Sequence, residues 1–163
     1  MTKHVRAAVA GANGYAGMTL VHLLARHPDV AIEQLSSRSL AGKPLASTFP
    51  LLSLEGDFLS EVDASKADVV FSCLPHNVGA SKAAGWLEGG ARVIDMSADF
   101  RLKDASQYPV WYRQEHPAPE HRRMESRERR TVGRKRVVLV AHRMVCEESR
   151  EQGTDALHPR GDR

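Results

Sequence analysis

The apolar positions of this chain fall into short blocks, and the spacing inside them switches between two kinds. Val5 to Ala10 is a mostly apolar run ending at Gly11, the pattern of a strand buried on both faces of a parallel sheet. Met18 to His27 carries Leu20, Val21, Leu23 and Leu24 at i, i+3, i+4 spacing. That predicts an amphipathic helix, begun at Gly14–Tyr15 and stopped by Pro28-Asp29. Val30 to Ser36 alternates as a second strand. Together these blocks make a right-handed β-α-β unit with parallel strands.

Residues 37–64 are polar, contain prolines and keep no regular period. Lys66 to Leu74 is the clearest buried strand, broken by Pro75-His76-Asn77. Val78 to Leu87 predicts a helix closed by Glu88-Gly89-Gly90, where glycine suits a left-handed cap. Arg92 to Met96 reads as another strand, followed by Ser97 to Leu102. Strands and helices alternate up to residue 104, so the predicted class is α/β, a doubly wound and mainly parallel sheet.

Composition narrows this picture. Hydrophobic residues make up 42% of the 163, enough for a packed core and too many for a wholly disordered chain. No apolar run reaches the ~18–20 residues of a membrane span, so no membrane partner is expected. The first six residues lack the apolar segment of a secretory leader. The two cysteines, Cys73 and Cys146, have no C-x-x-C spacing, and His22, His27, His121, His142 and His158 read as surface residues. No disulfide scaffold or metal site is expected, and a reducing cytoplasm fits.

The net charge of +3 is unevenly spread. Residues 1–119 hold 11 Lys+Arg against 12 Asp+Glu, whereas residues 120–163 hold 12 against 8, and 11 of those 12 cations are arginine. The basic pI therefore belongs to the last segment, and nucleic acid is not an expected partner of the whole. The segment from 120 to 163, with Val137 to Ala141 as its one apolar run, predicts a disordered or loosely attached tail.

Between the first strand and helix lies Gly11-Ala12-Asn13-Gly14-Tyr15-Ala16-Gly17. This G-x-x-G-x-x-G turn is a relative of the dinucleotide fingerprint: glycine permits a tight turn and lets backbone N–H groups approach a pyrophosphate at a helix start. An NAD site usually ends the second strand with a carboxylate for the ribose 2′-hydroxyl. Here the strand ends Leu35-Ser36-Ser37-Arg38-Ser39, and Glu33 lies inside it. Hydroxyls with a guanidinium suit a 2′-phosphate, so NADP is expected over NAD.

These residues carry a resemblance. The glycine turn, Ser37 to Pro44, Leu74-Pro75-His76, Asp95 to Leu102 and the stretch Tyr108 to Pro119 occur in this order in N-acetyl-γ-glutamyl-phosphate reductase, which residues 1–119 resemble. The resemblance implies a Rossmann-like NADP-binding domain of an arginine-biosynthesis oxidoreductase. In that family a cysteine thiolate attacks the acyl phosphate of N-acetyl-γ-glutamyl phosphate, and hydride from NADPH then gives the semialdehyde, with a histidine as acid/base. It implies that Pro75 and His76 line the nicotinamide side and that Ser97 and Arg101 lie near the cofactor or acyl-phosphate end. It also implies a homo-oligomeric parent. The expected cofactor-binding set is thus Gly11 to Gly17, Ser37, Arg38, Pro75, His76 and Ser97.

The sequence departs from the family after the His116-Pro117-Ala118-Pro119 stretch. The N-P-G-C-Y-P-T segment that holds the family's nucleophile is absent from these 163 residues. Cys146 lies beside Glu147 and Glu148, which raise a thiol pKa, and Cys73 lies in a buried strand. No catalytic residue is assigned, and the expectation is an inactive cofactor-binding fragment without its companion substrate domain, with an exposed apolar patch. The tail is expected to be either a polyanion-binding extension or the product of a shifted reading frame, and its arginine enrichment and early end favour the second. Alternative readings are an NADP-binding module with a basic tail, or the cofactor domain of another semialdehyde dehydrogenase.

Overall fold

The computed structural model describes residues 4–100, 102, 105–117 and 138–140. Five strands, β1 (Val5–Ala10), β2 (Val30–Ser36), β3 (Val69–Ser72), β4 (Arg92–Asp95) and β5 (Val138–Val140), form one sheet in the order β2-β1-β3-β4-β5. Every pairing is parallel, with Ala7 opposite Val69 and Ser72 opposite Asp95. The first strand and the Val69 strand are thus direct parallel neighbours. Three helices accompany the sheet: α1 (Tyr15–Leu24), α2 (Val78–Glu88) and the short α3 (Tyr108–Tyr112).

Alternation along β1 explains why its run is apolar throughout. Ala7 and Val9 join Val21, Leu24 and Leu35 in one core, whereas Ala8 and Ala10 join Val70, Ala83, Trp86 and Val93 in the other. The sheet is thus covered on both faces, as a doubly wound parallel fold requires. The chain is a Rossmann-like α/β domain. Arg6 locks the outer end of β1 to the start of β3, its guanidinium pairing with Asp68 at 3.0 and 3.2 Å.

The stretch 37–64, which lacks a sequence period, is an ordered part of the first core. Phe49 and Phe58 are fully buried there and Leu45 nearly so. Large apolar residues set singly among turn-formers give no helical or strand rhythm, yet each such side chain buried stabilises by about 1.5–3 kcal/mol. The same stretch brings Leu59 into a parallel bridge with Ser36, a rudimentary further strand outside β2.

One helix boundary differs from the sequence reading, and the glycine closure of the other is present. Helix α1 ends at Leu24, and Arg26 and His27 close it with bonds to the carbonyls of Leu23 and Leu24. At the end of α2 the left-handed residue is Gly90 (φ +97), while Gly89 is still right-handed. Val138–Val140, in the segment expected to be a loose tail, pairs with β4 as β5. Residues 118–137 and 141–163, with the boundary at 119, Cys146 and the arginine-rich stretch, lie outside the described residues, as does Arg101. No helix among the described residues is long and apolar enough to cross a membrane. On α3, Val110 and Trp111 are exposed next to each other.

Candidate functional site

In this topology the chain leaves β1 toward β2 on one side, and β3 lies on the other. The crevice beyond the carboxyl ends of these strands is where ligands bind in open α/β sheets. A cleft of about 510 Å³ opens there. Ala10 and Ser36 at the strand ends and Cys73 just past β3 form part of its base, and the glycine turn forms one wall.

The turn owes its shape to contacts that exclude side chains. Gly11 has φ +79, and a Cβ there would lie 2.7 Å from the carbonyl oxygen of Cys73. A Cβ at Gly17 would lie 2.3 Å from the Gly11 carbonyl oxygen, so this glycine lets α1 pack directly on the turn. The N–H groups of Gly11 and Ala12 both reach the Ser36 carbonyl at 3.0 Å, which binds the turn to the tip of β2. Gly14 is the N-cap of α1 and supplies no side-chain cap, so the first-turn N–H groups keep their capacity for an anion. Gly11, Asn13 and Gly14 line the cleft; Ala12 is buried, and Tyr15 is almost fully exposed. Ala16 is exposed and Gly17 buried.

The tip of β2 forms the second wall. Ser37, Arg38 and Ser39 line the cleft together. Ser37 is buried, and its hydroxyl accepts from the Leu40 N–H at 3.3 Å, so it shapes the turn that presents Arg38. Asn13 Nδ2 donates to Ser39 Oγ at 3.1 Å and joins the two walls.

Beyond β3 the expected residues separate. Pro75 lines the cleft, with Leu74 and Val78. His76 is exposed just outside it, its Nδ1 accepting from the Ala98 N–H at 3.3 Å and standing 3.8 Å from Asp99 Oδ1. Ser97 is buried below, donating to Asp95 Oδ2 at 2.5 Å and accepting from the Asp99 N–H at 3.1 Å. Neither His76 nor Ser97 belongs to the lining of this cleft.

Below Pro75 lies a network the sequence did not display. Asp99 is buried, and its Oδ2 accepts from the N–H groups of Asn77 at 2.8 Å and Ala80 at 3.3 Å, capping α2. Its Oδ1 accepts from the Tyr108 hydroxyl at 2.7 Å. Asn77, at φ 63, donates through its amide to Gln114 and receives Tyr108. His116 Nε2 lies 2.7 Å from the Asp99 carbonyl, which only accepts, so this nitrogen carries the hydrogen. The stretch after β4 is thereby tied to the start of α2. Burial pushes the Cys73 thiol up to about 12, with help from Asp95, so it is a neutral thiol at ordinary pH.

Residues 6–150 match the semialdehyde dehydrogenase NAD-binding domain. The chain belongs to this family. Among relatives of this NAD-binding domain, it is 45% identical over 118 residues to N-acetyl-gamma-glutamyl-phosphate reductase of Dehalococcoides mccartyi, covering 72% of this chain and 35% of that protein. It is 42% identical over 125 residues to the LysW-L-2-aminoadipate/LysW-L-glutamate phosphate reductase of Saccharolobus solfataricus, covering 74% and 36%. The structure of aspartate semialdehyde dehydrogenase with NADP from Candida albicans matches with a TM-score of 0.50 at 28% identity, over 63% of this chain and 32% of that one. The chain spans about a third of the length of the curated relatives it matches.

Two charged residues of the NAD-binding domain's cleft carry no sequence signal: Glu61, from the irregular stretch, and Lys82, on α2. Lys82 Nζ pairs with Glu61 Oε1 at 2.6 Å. A shallower depression of about 390 Å³ shares this pair with the cleft. The sole clue to it is charge of opposite sign 21 positions apart, which sequence spacing does not translate into proximity.

Proposed function

We propose that this chain is the NADP(H)-binding unit of an acyl-phosphate reductase acting on N-acetyl-γ-glutamyl phosphate, with residues 1–119 as the core of that unit. The observation that carries the reading is the cleft at the β1–β3 crevice, with the glycine turn on one side and Ser37-Arg38 on the other. The geometry fits the group: Gly11 and Gly17 are positions where a Cβ would collide with backbone. The uncapped start of α1 suits a pyrophosphate, and the Arg38 guanidinium suits a 2′-phosphate. NADPH supplies hydride when bound. On this reading the Gly11 to Gly17 turn cradles the pyrophosphate, Pro75 and His76 stand on the nicotinamide side, and Ser97 lies near the cofactor or acyl-phosphate end. The names of the relatives from Dehalococcoides mccartyi and Saccharolobus solfataricus support an acyl-phosphate substrate. A cytoplasmic site of action fits the thiol chemistry of such enzymes, and homo-oligomeric assembly is part of the same proposal.

The 163 residues hold the nucleotide without turnover of their own. Cys73 is a protonated thiol at the base of the cleft, and residues 120–163 hold no family-like nucleophile segment. Titration of the full chain with NADPH and NADH tests the reading. Arg38→Ala is expected to weaken NADPH by about tenfold or more, the value of one charge-assisted contact, and NADH far less. Equal losses for both nucleotides would remove Arg38 from the 2′ subsite, and absence of binding by the wild-type chain would refute the proposal.

A further inference from the structure

The sequence shows no carboxylate at the tip of β2, yet the fold supplies one from elsewhere. Leu59 pairs with the tip through Ser37 N to Leu59 O at 2.9 Å and Leu59 N to Leu35 O at 3.0 Å. Asp63 is held by the buried Gln34 side chain through two 2.8 Å bonds, one to its N–H and one to its carbonyl. Glu61 lies between these anchors, so its backbone is fixed beside Arg38. Among the described residues lining the cleft, Glu61 is the only acidic one, and Arg38 and Lys82 are the cations.

A carboxylate in that position opposes a 2′-phosphate. It can neutralise the Arg38 guanidinium or accept a bond from a ribose 2′-hydroxyl, the arrangement that selects NAD. Lys82 changes the balance. Its ammonium meets Glu61 at 2.6 Å, and Lys82, with Arg38 as the lesser influence, holds the Glu61 carboxyl below its ordinary range. With Glu61 claimed by Lys82, the guanidinium of Arg38 keeps its charge for an incoming dianion.

We propose that Lys82 is a nucleotide-selecting residue that acts through Glu61: by pairing with this carboxylate it keeps the 2′ subsite open to phosphate, and without it Glu61 turns the site toward the 2′-hydroxyl. The inference rests on the reading that Arg38 faces the 2′ position. Lys82 is a positioning residue here, since it acts on Glu61 and the phosphate remains with Arg38.

The test is a set of NADPH and NADH binding titrations at one fixed ionic strength, read by nucleotide fluorescence. It uses the full 163-residue chain as wild type, Lys82→Met, Glu61→Gln and the double variant. Methionine keeps the aliphatic stem and the helix propensity of lysine, and far-UV circular dichroism of each variant confirms a common fold. Lys82→Met is expected to shift the ratio of the two dissociation constants about tenfold toward NADH, the scale of one exposed charge in a partly open cleft. Adding Glu61→Gln is expected to restore the wild-type ratio. An unchanged ratio in Lys82→Met overturns the proposal. A double variant that stays as weak for NADPH as Lys82→Met also overturns it, because Lys82 would then bind phosphate directly. Wild-type chain that binds neither nucleotide refutes the cofactor reading itself, an outcome distinct from both.

Discussion

Asp95 lies buried at the end of β4, opposite Ser72, with one carboxyl oxygen held by the Ser97 hydroxyl. Burial pushes this carboxyl up from the usual carboxylate range, and the bonds from Ser97 and Ser72 only partly offset it. The native state therefore holds the Asp95 proton more tightly than the unfolded chain does. The stability this contributes is present below the ordinary carboxylate pKa and is lost as pH rises through the raised native value. The expected outcome is that Asp95→Asn improves relative to wild type in thermal melts taken from pH 4 to pH 7. A difference between the two proteins that does not change with pH would show that Asp95 titrates as in the unfolded chain. At this scale the sequence was legible where chemistry is local. Gly11 and Gly17 shape their turn through their own backbone, whereas Asp99 acquires its capping role from partners across the fold.

Helix α2 shows what a borrowed cap does for an element. Its own N-cap residue, Asn77, makes no side-chain cap bond, and Asp99 from beyond β4 accepts from Asn77 and Ala80 instead. A carboxylate at a helix N-terminus is favoured by the dipole as well as by the bonds. Asp99→Asn keeps an acceptor and removes the charge, so it should cost about 1–3 kcal/mol in urea unfolding. It should also speed amide exchange at Asn77 and Ala80 ahead of the rest of α2. Exchange that stays uniform along the helix would mean that the cap is not what holds the first turn. The sequence predicted this helix from its apolar spacing, because a buried face follows from period alone. Its cap was not legible, since the capping residue lies 22 positions away from Asn77. The stretch 37–64 was illegible for a related reason: Phe49 and Phe58 reach the core singly, without a repeating neighbour to announce a face.

For the molecule as a whole, the alternation of strands and helices was enough to read a doubly wound sheet, because each βαβ crossover has one favoured hand and each buried strand has one apolar signature. The short pairing of Val138–Val140 with β4 depends on a partner over 40 positions earlier, Val93 to Asp95, and three residues of apolar sequence do not specify a sheet neighbour. The position of the cleft between β1 and β3 has a consequence in time. Strand β1 can pair with β2 through a short crossover, but it meets β3 only after the chain from Ala10 to Val69 has closed on itself. Long-range closure of this kind is the slow, entropically costly part of assembly. Both walls of the nucleotide cleft exist only once that seam has formed, so ligand has nothing complete to grip on the way up the barrier. NADPH is therefore expected to lower the unfolding rate and leave the refolding rate unchanged in denaturant-jump kinetics. A refolding rate that climbs with NADPH would place the seam before the transition state. With the expected result, the bound nucleotide acts on the lifetime of the native chain and leaves its rate of formation as it was.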